Sequence, residues 1–118
     1  MNADIHLKDG IIFMKIHPKI FLTLEMANEI IDARYKINNG IAYPMLVDIR
    51  GITGATKEAR VCIASEKGSK NVKARAVIVE SKLQVIAINF YINFDKPMID
   101  TKFFFDEKEA LAWLEKYR

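Results

Sequence analysis

The sequence contains few of the residues that cross-link or interrupt a chain. Its 118 residues include one cysteine, three prolines and five glycines. The single cysteine, Cys62, excludes a disulfide within the chain and suits a reducing compartment. No apolar run approaches the roughly 20 residues that span a bilayer, and the early alternation of polar and apolar residues is unlike a signal peptide. We therefore expect a cytoplasmic protein without an integral membrane segment.

The excess of basic over acidic residues is also small. The net charge is +3, which is too small to indicate a nucleic-acid partner, and 51% hydrophobic with 28% charged residues is typical of a folded globular chain. The length suits a single domain over residues 1–118. Residues 57–75 carry six basic and two acidic side chains, a net +4. This run predicts either a local basic surface or, more commonly, a solvated helix face.

Hydrophobic periodicity predicts an opening β-hairpin followed by alternating helices and strands. Ile5 and Leu7 alternate with polar residues, and Asp9-Gly10 is typical of a type I′ turn into a second strand. The order β-β-α-β-α-β-α-β-α indicates an α/β fold with a mixed, mostly parallel sheet flanked by four helices. The later strands are expected at 45–49, 72–79 and 101–105, and the helices at about 23–40, 57–67, 82–94 and from 106 onward.

Capping residues support these helix boundaries. Side-chain oxygens at a helix start accept hydrogen bonds from free backbone amides, and glycine permits the left-handed residue that ends a helix. The predicted amino-terminal caps are Thr23, Thr56, Ser81 and Asp106, with Glu109 completing a capping-box-like pair with Asp106. Gly40 and Gly68 are expected to end the first two helices.

A glycine-containing turn between a central strand and a helix is the first candidate site. The apolar run 45–49 includes Asp48 and leads through Gly51 and Gly54 into the helix capped by Thr56. Ligands and partners of α/β proteins commonly bind beyond the carboxyl end of a strand. Backbone amides here could bind an anion, although two glycines often only permit a turn. The candidate residues for binding a partner or an anion are Arg50, Thr53, Gly54, Thr56 and Lys57.

The helix expected at 82–94 has two apolar faces, and this is the second candidate site. At about 100° per residue one stripe contains Leu83, Ile86, Ala87, Phe90 and Phe94, and the opposite stripe contains Val85, Ile88 and Ile92. A helix on a sheet can bury only one stripe against its own core. We assign Val85, Ile88 and Ile92 to the outer face. That face is then covered by a neighbouring element, or is a subunit interface or the wall of an apolar pocket.

The sequence contains no recognisable catalytic or metal-binding set. Nucleotide-binding and nucleophile-elbow motifs are absent. His6 and His17 lack further ligands at suitable spacing, and Cys62 lies among apolar helix residues, where a thiol is usually inert. Asp48 has no visible acid-base partner and is more simply explained as an anchor of the turn. We therefore expect no enzyme activity, no cofactor and no metal.

The segment Leu46-Val-Asp-Ile-Arg-Gly-Ile-Thr-Gly-Ala-Thr-Lys57 and the closing Phe105-Asp-Glu-Lys-Glu-Ala-Leu-Ala-Trp-Leu114 resemble the STAS family. That family includes cytoplasmic domains of sulphate transporters and anti-sigma-factor antagonists, and the whole chain is similar to small stand-alone bacterial proteins of the STAS/SEC14-like group. The resemblance implies a four- or five-stranded sheet flanked by helices and a non-enzymatic, interaction-based role.

The resemblance also implies a regulatory position in the glycine-containing turn. In the antagonists a serine at the start of the helix after the central strand is phosphorylated. The family's Asp-Ser-Ser-Gly falls opposite residues 56–59, so Lys57 replaces the acceptor serine and Thr56 the preceding acid. Only Thr53 or Thr56 could substitute there, and the capping role already explains Thr56. SEC14-like relatives bind lipid in an apolar pocket, which would fit the second apolar stripe of the helix at 82–94.

The leading hypothesis is a STAS-like binding or regulatory module, active as a homodimer and through contacts with a regulatory protein. It would act through the turn at residues 50–57 and the outer face of the helix at 82–94. The alternative is a carrier or sensor of a small apolar or anionic ligand. An enzyme ranks third because no nucleophile or acid-base pair is visible.

Overall fold

The computed structural model describes residues 1–84, 86 and 98–118. Its main feature is a five-stranded sheet with the strand order β1-β2-β4-β6-β7. The strands are β1 (Ala3–Lys8), β2 (Ile11–Ile16), β4 (Tyr43–Asp48), β6 (Val72–Ile78) and β7 (Asp100–Phe104). β1 and β2 pair antiparallel, and every later pair is parallel. The predicted mixed, mostly parallel sheet is therefore confirmed.

The opening hairpin has the predicted turn. Asp9 and Gly10 have φ values of 53° and 76°, the positive values that a type I′ turn requires at both central positions. Lys8 pairs with Ile11 directly across it. This turn lies at the amino-terminal edge of the parallel strands, opposite the edge at which β4 ends.

The first helix, α1, spans Leu24–Asn38. The Thr23 side chain caps it by accepting a hydrogen bond from the Met26 amide at 3.3 Å. The helix ends at Asn38, and Asn39 is already left-handed, with φ of 49°. The left-handed residue thus comes one position before Gly40, which also has a positive φ of 80°. Thr23 is confirmed as the cap, and Asn39 shares the terminating role expected of Gly40.

Two very short strands were not predicted. β3 (Phe21–Leu22) and β5 (Gly54–Ala55) pair parallel to each other and form a separate two-stranded sheet. Each contains two residues, which is too short for an alternation pattern to be visible in sequence. Their pairing connects the segment before α1 with the glycine-containing turn.

The helix predicted over 57–67 is two helices. α2 spans Lys57–Ala64 and α3 spans Glu66–Ser69. Ser65 separates them in an extended conformation, and its hydroxyl donates to the Cys62 carbonyl at 2.6 Å. Gly68 does not end the helix in a left-handed conformation as expected: it lies inside α3, and Asn71 is the residue with a positive φ, 62°. Gly68 is instead required by close packing, because a Cβ there would lie 2.2 Å from the Ile63 carbonyl oxygen.

The last helix, α4, spans Glu107–Leu114 and continues as a 3₁₀ turn over Glu115–Tyr117. Asp106 caps it by accepting from the Lys108 amide at 3.1 Å, as predicted. Among the residues that the structure describes, the buried ones form two cores. One lies between the sheet and helices α1 and α2, and the other includes Leu46, Ile78, Phe104, Ala110 and Leu114, where α4 packs on the sheet.

Most residues of the helix predicted at 82–94 are not among those that the structure describes. Residues 82–84 and 86 are helical. The Ser81 hydroxyl oxygen accepts from the Gln84 amide at 3.2 Å, as expected of a capping residue. The Gln84 side-chain oxygen in turn accepts from the Glu80 amide at 2.7 Å. The predicted interface residues Val85, Ile88 and Ile92 lie outside the described residues.

Candidate functional site

The glycine-containing turn, residues 49–56, begins where β4 ends. Asp48 closes β4, and its carboxylate accepts from the Arg50 amide at 3.0 Å, from Arg50 Nε at 3.1 Å and from Arg50 Nη2 at 2.8 Å. Burial alone would raise the pKa of Asp48, but the hydrogen bonds and charge of Arg50, with a contribution from Lys15, hold that pKa below its usual value. Asp48 therefore anchors the turn, as its position in the sequence predicted.

The backbone of this turn is fixed by two other parts of the chain, residues 19–22 and Glu80. The Lys19 amide donates to the Gly51 carbonyl at 2.8 Å, and the Thr53 and Thr56 amides donate to the carbonyls of Ile20 and Leu22, each at 2.9 Å. The Gly51 amide donates to the Glu80 carboxylate at 3.1 Å. Amides that were candidates for binding an anion thus already donate within the protein. The turn is consequently held in one shape before any partner binds.

Both glycines of the turn are required by geometry. Gly51 has φ of 88°, which side chains disfavour, and a Cβ there would lie 3.0 Å from Pro18 Cβ. A Cβ on Gly54 would lie 2.9 Å from the ring of Phe21. The close approach of Phe21 to Gly54 accompanies the pairing of β3 with β5.

The structure brings the predicted turn residues to one edge of the sheet. Arg50, Thr53 and Lys57 are exposed, whereas Gly54 and Thr56 are half-buried. Thr56 Oγ1 accepts from the Ala59 amide at 3.1 Å and caps α2. Thr53 is the more accessible hydroxyl, and it donates to the Ile20 carbonyl at 3.3 Å.

Exposed apolar side chains lie beside the turn, and sequence reasoning did not single them out. Phe21, which packs on Gly54, is 52% exposed. Leu24 and Val61 are also exposed and line a shallow groove together with Lys57 and Cys62. The turn thus combines basic and apolar surface.

A cavity of about 190 Å³ lies in the core between the sheet and the helices α1 and α2. Its wall is almost entirely aliphatic, and includes Met14, Ile30, Val47, Ile63 and Val77. The sequence prediction of an apolar pocket concerned the helix at 82–94. The cavity walls that the structure describes belong to other elements.

Two buried arginines line this cavity. Arg34 on α1 is 1% exposed and Arg75 on β6 is 6% exposed. Both donate to the carbonyl oxygen of Gly68, at 3.2 Å and 3.1 Å respectively. We had assigned Arg75 to a basic or solvated surface over residues 57–75; that assignment is wrong for Arg75. The available signal was its position within the apolar strand 72–79, where a solvated charge is not expected.

Other candidate residues have simpler roles. His17 Nε2 lies 3.2 Å from the Asp4 carboxylate, and His6 stacks on Phe13. The Cys62 thiol is 3.5 Å from the side-chain oxygen of Asn28. Within the described ranges no group of three or more potential ligands could hold a metal ion. In the same part of the chain no helix is long and apolar enough to cross a membrane.

The predicted inner stripe of the helix at 82–94 is not buried at the positions that the structure describes. Leu83 and Ile86 are 77% and 65% exposed. The sequence pattern had placed this stripe against the core. Periodicity identifies which residues share a face, but it does not determine which of two apolar faces packs on the sheet.

Comparisons with known proteins agree with this architecture. A family model described as "Domain of unknown function (DUF7793)" matches residues 5–118. No curated protein matches the sequence. Among solved structures, the chain is similar to an uncharacterized protein from Shewanella loihica, of the DUF3478 family and with a SpoIIAA-like fold. The two are 24% identical with a TM-score of 0.65, over 95% of this chain and 91% of the other. The fold is therefore of the SpoIIAA-like, STAS-like type.

Proposed function

The chain belongs to the DUF7793 family, and we propose that it is a STAS-like, non-enzymatic binding or regulatory module that acts through protein–protein contacts. The observation that supports this most directly is the preorganised turn. Its backbone is held by hydrogen bonds to Lys19, Ile20, Leu22 and Glu80. A surface fixed in this way loses little conformational entropy when a partner binds.

The chemistry of the surface favours a protein partner. Arg50 and Lys57 supply basic groups, while Phe21 and Leu24 expose apolar area close to them. Aromatic and arginine side chains are enriched where proteins contact each other. The proposed partner is a regulatory protein that presents acidic and apolar side chains to this turn.

The test uses surface changes that leave the fold intact. Affinity capture is performed from cells that express the chain naturally, with wild type, the double variant Thr53→Glu/Lys57→Glu, and Lys8→Glu as a matched control. Lys8 is exposed at the opposite edge of the sheet. We expect wild type and Lys8→Glu to recover the same partner and the double variant to lose it. Recovery of the same proteins with all three variants, or of no specific protein, would contradict the proposal.

The proposed module is a homodimer that uses the helix at 82–94. Leu83 and Ile86 are exposed, and neighbouring exposed apolar residues commonly mark an interface. They lie on the stripe opposite Val85, Ile88 and Ile92, so their exposure supports a contact through the Leu83 stripe of this helix. Val85, Ile88 and Ile92 remain the contact residues proposed from sequence. Light scattering of wild type, Leu83→Asp and Ile88→Asp tests this. A monomeric wild type, or variants that are as dimeric as wild type, would overturn it.

The cavity favours a second candidate function, that of a carrier or sensor of a small ligand. Packed protein interiors contain few voids larger than a water molecule. A cavity of about 190 Å³ is therefore unusual for a chain of this length. Saturable binding of a small apolar molecule, abolished when Ala64 on the cavity wall is replaced by Leu, tests this function.

A further inference from the structure

Arg75 is a charged side chain buried in the cavity wall with an unused donor. Its Nη2 donates to the carbonyls of Ile63 at 3.3 Å and Gly68 at 3.1 Å. Its Nε is buried and has no hydrogen-bond partner in the part of the chain that the structure describes. Buried donors are nearly always satisfied, so an unsatisfied guanidinium donor on a cavity wall is a position at which a bound ligand would accept a hydrogen bond.

Arg34 adds a second positive charge at the same place. Its Nη1 donates to the Asn38 side chain at 2.7 Å and to the Lys70 carbonyl at 2.9 Å, and its Nη2 reaches the Gly68 carbonyl. Every acceptor is neutral, and within residues 1–84, 86 and 98–118 neither arginine pairs with a carboxylate. Buried charges are ordinarily paired with a charge of opposite sign.

Burial disfavours the charged form of both arginines. Burial, together with the charge of Arg34, lowers the pKa of Arg75 to about 10. Burial also lowers the pKa of Arg34. Arg75 nevertheless remains protonated at neutral pH, so the cavity wall carries two adjacent buried positive charges in addition to that of the half-buried Arg60. An anion bound there would raise both pKa values towards those of solvated arginine.

We propose that the cavity binds a small apolar carboxylate, with the carboxylate at Arg75 and Arg34 and the apolar body against the aliphatic wall formed by residues such as Ile30, Val47 and Val77. This inference rests on the second candidate function above and specifies its ligand. A carboxylate accepts from guanidinium groups through charge-assisted hydrogen bonds, which are stronger than neutral ones.

Cavity size and donor number define the ligand further. An apolar cavity of about 150 Å³ is known to bind benzene, so in proportion about 190 Å³ suits an apolar body of roughly eight carbon atoms. Apart from the arginines, the wall offers few polar groups. A carboxylate has two oxygens and one charge, whereas a phosphate would leave further oxygens unpaired in apolar surroundings.

A purely structural role is the competing explanation for the arginines. Arg75 donates to carbonyls in α2 and α3, and Arg34 to carbonyls in α3 and directly after it, and these bonds alone would account for the presence of both arginines. A structural role does not, however, predict that the cavity distinguishes a carboxylate from a neutral molecule of the same shape. That distinction is therefore the basis of the test.

The experiment is isothermal titration calorimetry of the full chain with octanoate, 1-octanol and acetate. We expect saturable binding of octanoate, with 1-octanol and acetate each binding about tenfold or more weakly. Arg75→Met should bind octanoate and 1-octanol with similar, weak affinity, while Arg75→Lys keeps a preference for octanoate. Lys73→Met is the matched control, since Lys73 is exposed on the same strand and loses the same charge; it should behave as wild type.

The outcomes separate this inference from the function on which it rests. One outcome is that 1-octanol binds wild type as tightly as octanoate and that Ala64→Leu abolishes the binding of both. The cavity is then a ligand site, but the assignment of a carboxylate ligand is wrong. If neither compound binds wild type, both the ligand-binding function and the carboxylate assignment are wrong. Equal loss of octanoate binding in Lys73→Met and Arg75→Met also overturns the assignment. Should Arg75→Met fail to fold, the wild-type comparison of octanoate with 1-octanol decides.

Discussion

Arg34 on α1 and Arg75 on β6 donate to the same acceptor, the carbonyl oxygen of Gly68. This single carbonyl connects helix α1, strand β6 and the short helix α3. Two guanidinium groups in contact with one neutral oxygen repel each other, so the arrangement requires the surrounding structure to hold both in place. The position of Gly68 is therefore central to the architecture of the cavity wall.

Replacement of Gly68 by alanine should destabilise the protein strongly. The new Cβ would lie 2.2 Å from the Ile63 carbonyl oxygen and 2.6 Å from that of Cys62, and both are backbone atoms that cannot rotate away. Relief requires α3 to move and the Gly68 carbonyl with it. We expect a loss of about 3 kcal/mol in the free energy of unfolding, measured by urea denaturation.

Gly40→Ala is the control for this substitution. Gly40 is exposed and a Cβ there would have nothing within 4 Å, but its φ of 80° disfavours a side chain. The expected cost is about 1 kcal/mol, from backbone conformation alone. A Gly68→Ala variant no less stable than Gly40→Ala would contradict the steric requirement at Gly68.

Asn38 is predicted to be the most sensitive polar side chain at the end of α1. It is 1% exposed, accepts from Arg34 at 2.7 Å, and donates to the carbonyls of Ile41 at 2.9 Å and Asn71 at 3.0 Å. Asn38→Ala removes a hydrogen-bond partner of the Arg34 guanidinium group and of both carbonyl groups. We expect a loss of about 2–4 kcal/mol, measured by thermal and urea denaturation.

Lys36→Ala provides the comparison on the same helix. Lys36 is exposed, and its replacement should change the free energy of unfolding by less than about 0.5 kcal/mol. If Asn38→Ala were equally mild, the hydrogen-bond network around Arg34 would contribute little to stability.

Features that depend on a few adjacent residues could be predicted from the sequence. The turn at Asp9-Gly10 and the caps at Thr23, Thr56 and Asp106 follow from local backbone chemistry, and each has the predicted geometry. The parallel strands follow from the alternation of apolar strands and helices. Asp48 also takes the predicted role, because an acid directly before a turn can accept from the amide two residues later.

Features that depend on contacts between distant residues were missed. The pairing of β3 with β5 joins residues more than 30 positions apart and involves only two residues from each strand. Arg75 was grouped with surface charges because sequence shows its charge but not its burial. The break at Ser65 depends on a hydroxyl bond to the Cys62 carbonyl, whereas serine by itself is common inside helices.

The two threonines of the turn should differ in their contributions to stability. Thr56 caps α2, so Thr56→Ala should cost about 1 kcal/mol. Thr53 is exposed and its hydroxyl donates only a long hydrogen bond, so Thr53→Ala should change stability by less than about 0.5 kcal/mol. Urea denaturation of the two variants checks this, and equal losses would mean that the Thr56 cap is not formed in solution.

The contact between Asp48 and Arg50 predicts a defined dependence of stability on pH. Because the pKa of Asp48 is lowered in the folded protein, its carboxylate contributes stability above the ordinary aspartate pKa of about 3.9. That contribution is lost as the pH falls through the lower folded pKa. Asp48→Asn removes the charge but keeps an oxygen that can accept from Arg50.

We therefore expect Asp48→Asn to be less stable than wild type by about 0.5–1 kcal/mol at pH 7. The value is modest because the Arg50 side chain is 52% exposed, so solvent screens its interaction with Asp48. The difference should persist at pH 5 and shrink below about pH 4, as the Asp48 carboxylate is protonated first in the unfolded chain and, at lower pH, in the folded protein. Urea denaturation at pH 7, 5 and 3 measures it. Asp32→Asn, at an exposed position on α1, should differ from wild type by less than about 0.5 kcal/mol at pH 7. If the difference in the free energy of unfolding between wild type and Asp48→Asn grew towards pH 3, stability would depend on pH in the direction opposite to that predicted. The ionised Asp48 carboxylate would then not stabilise the folded protein.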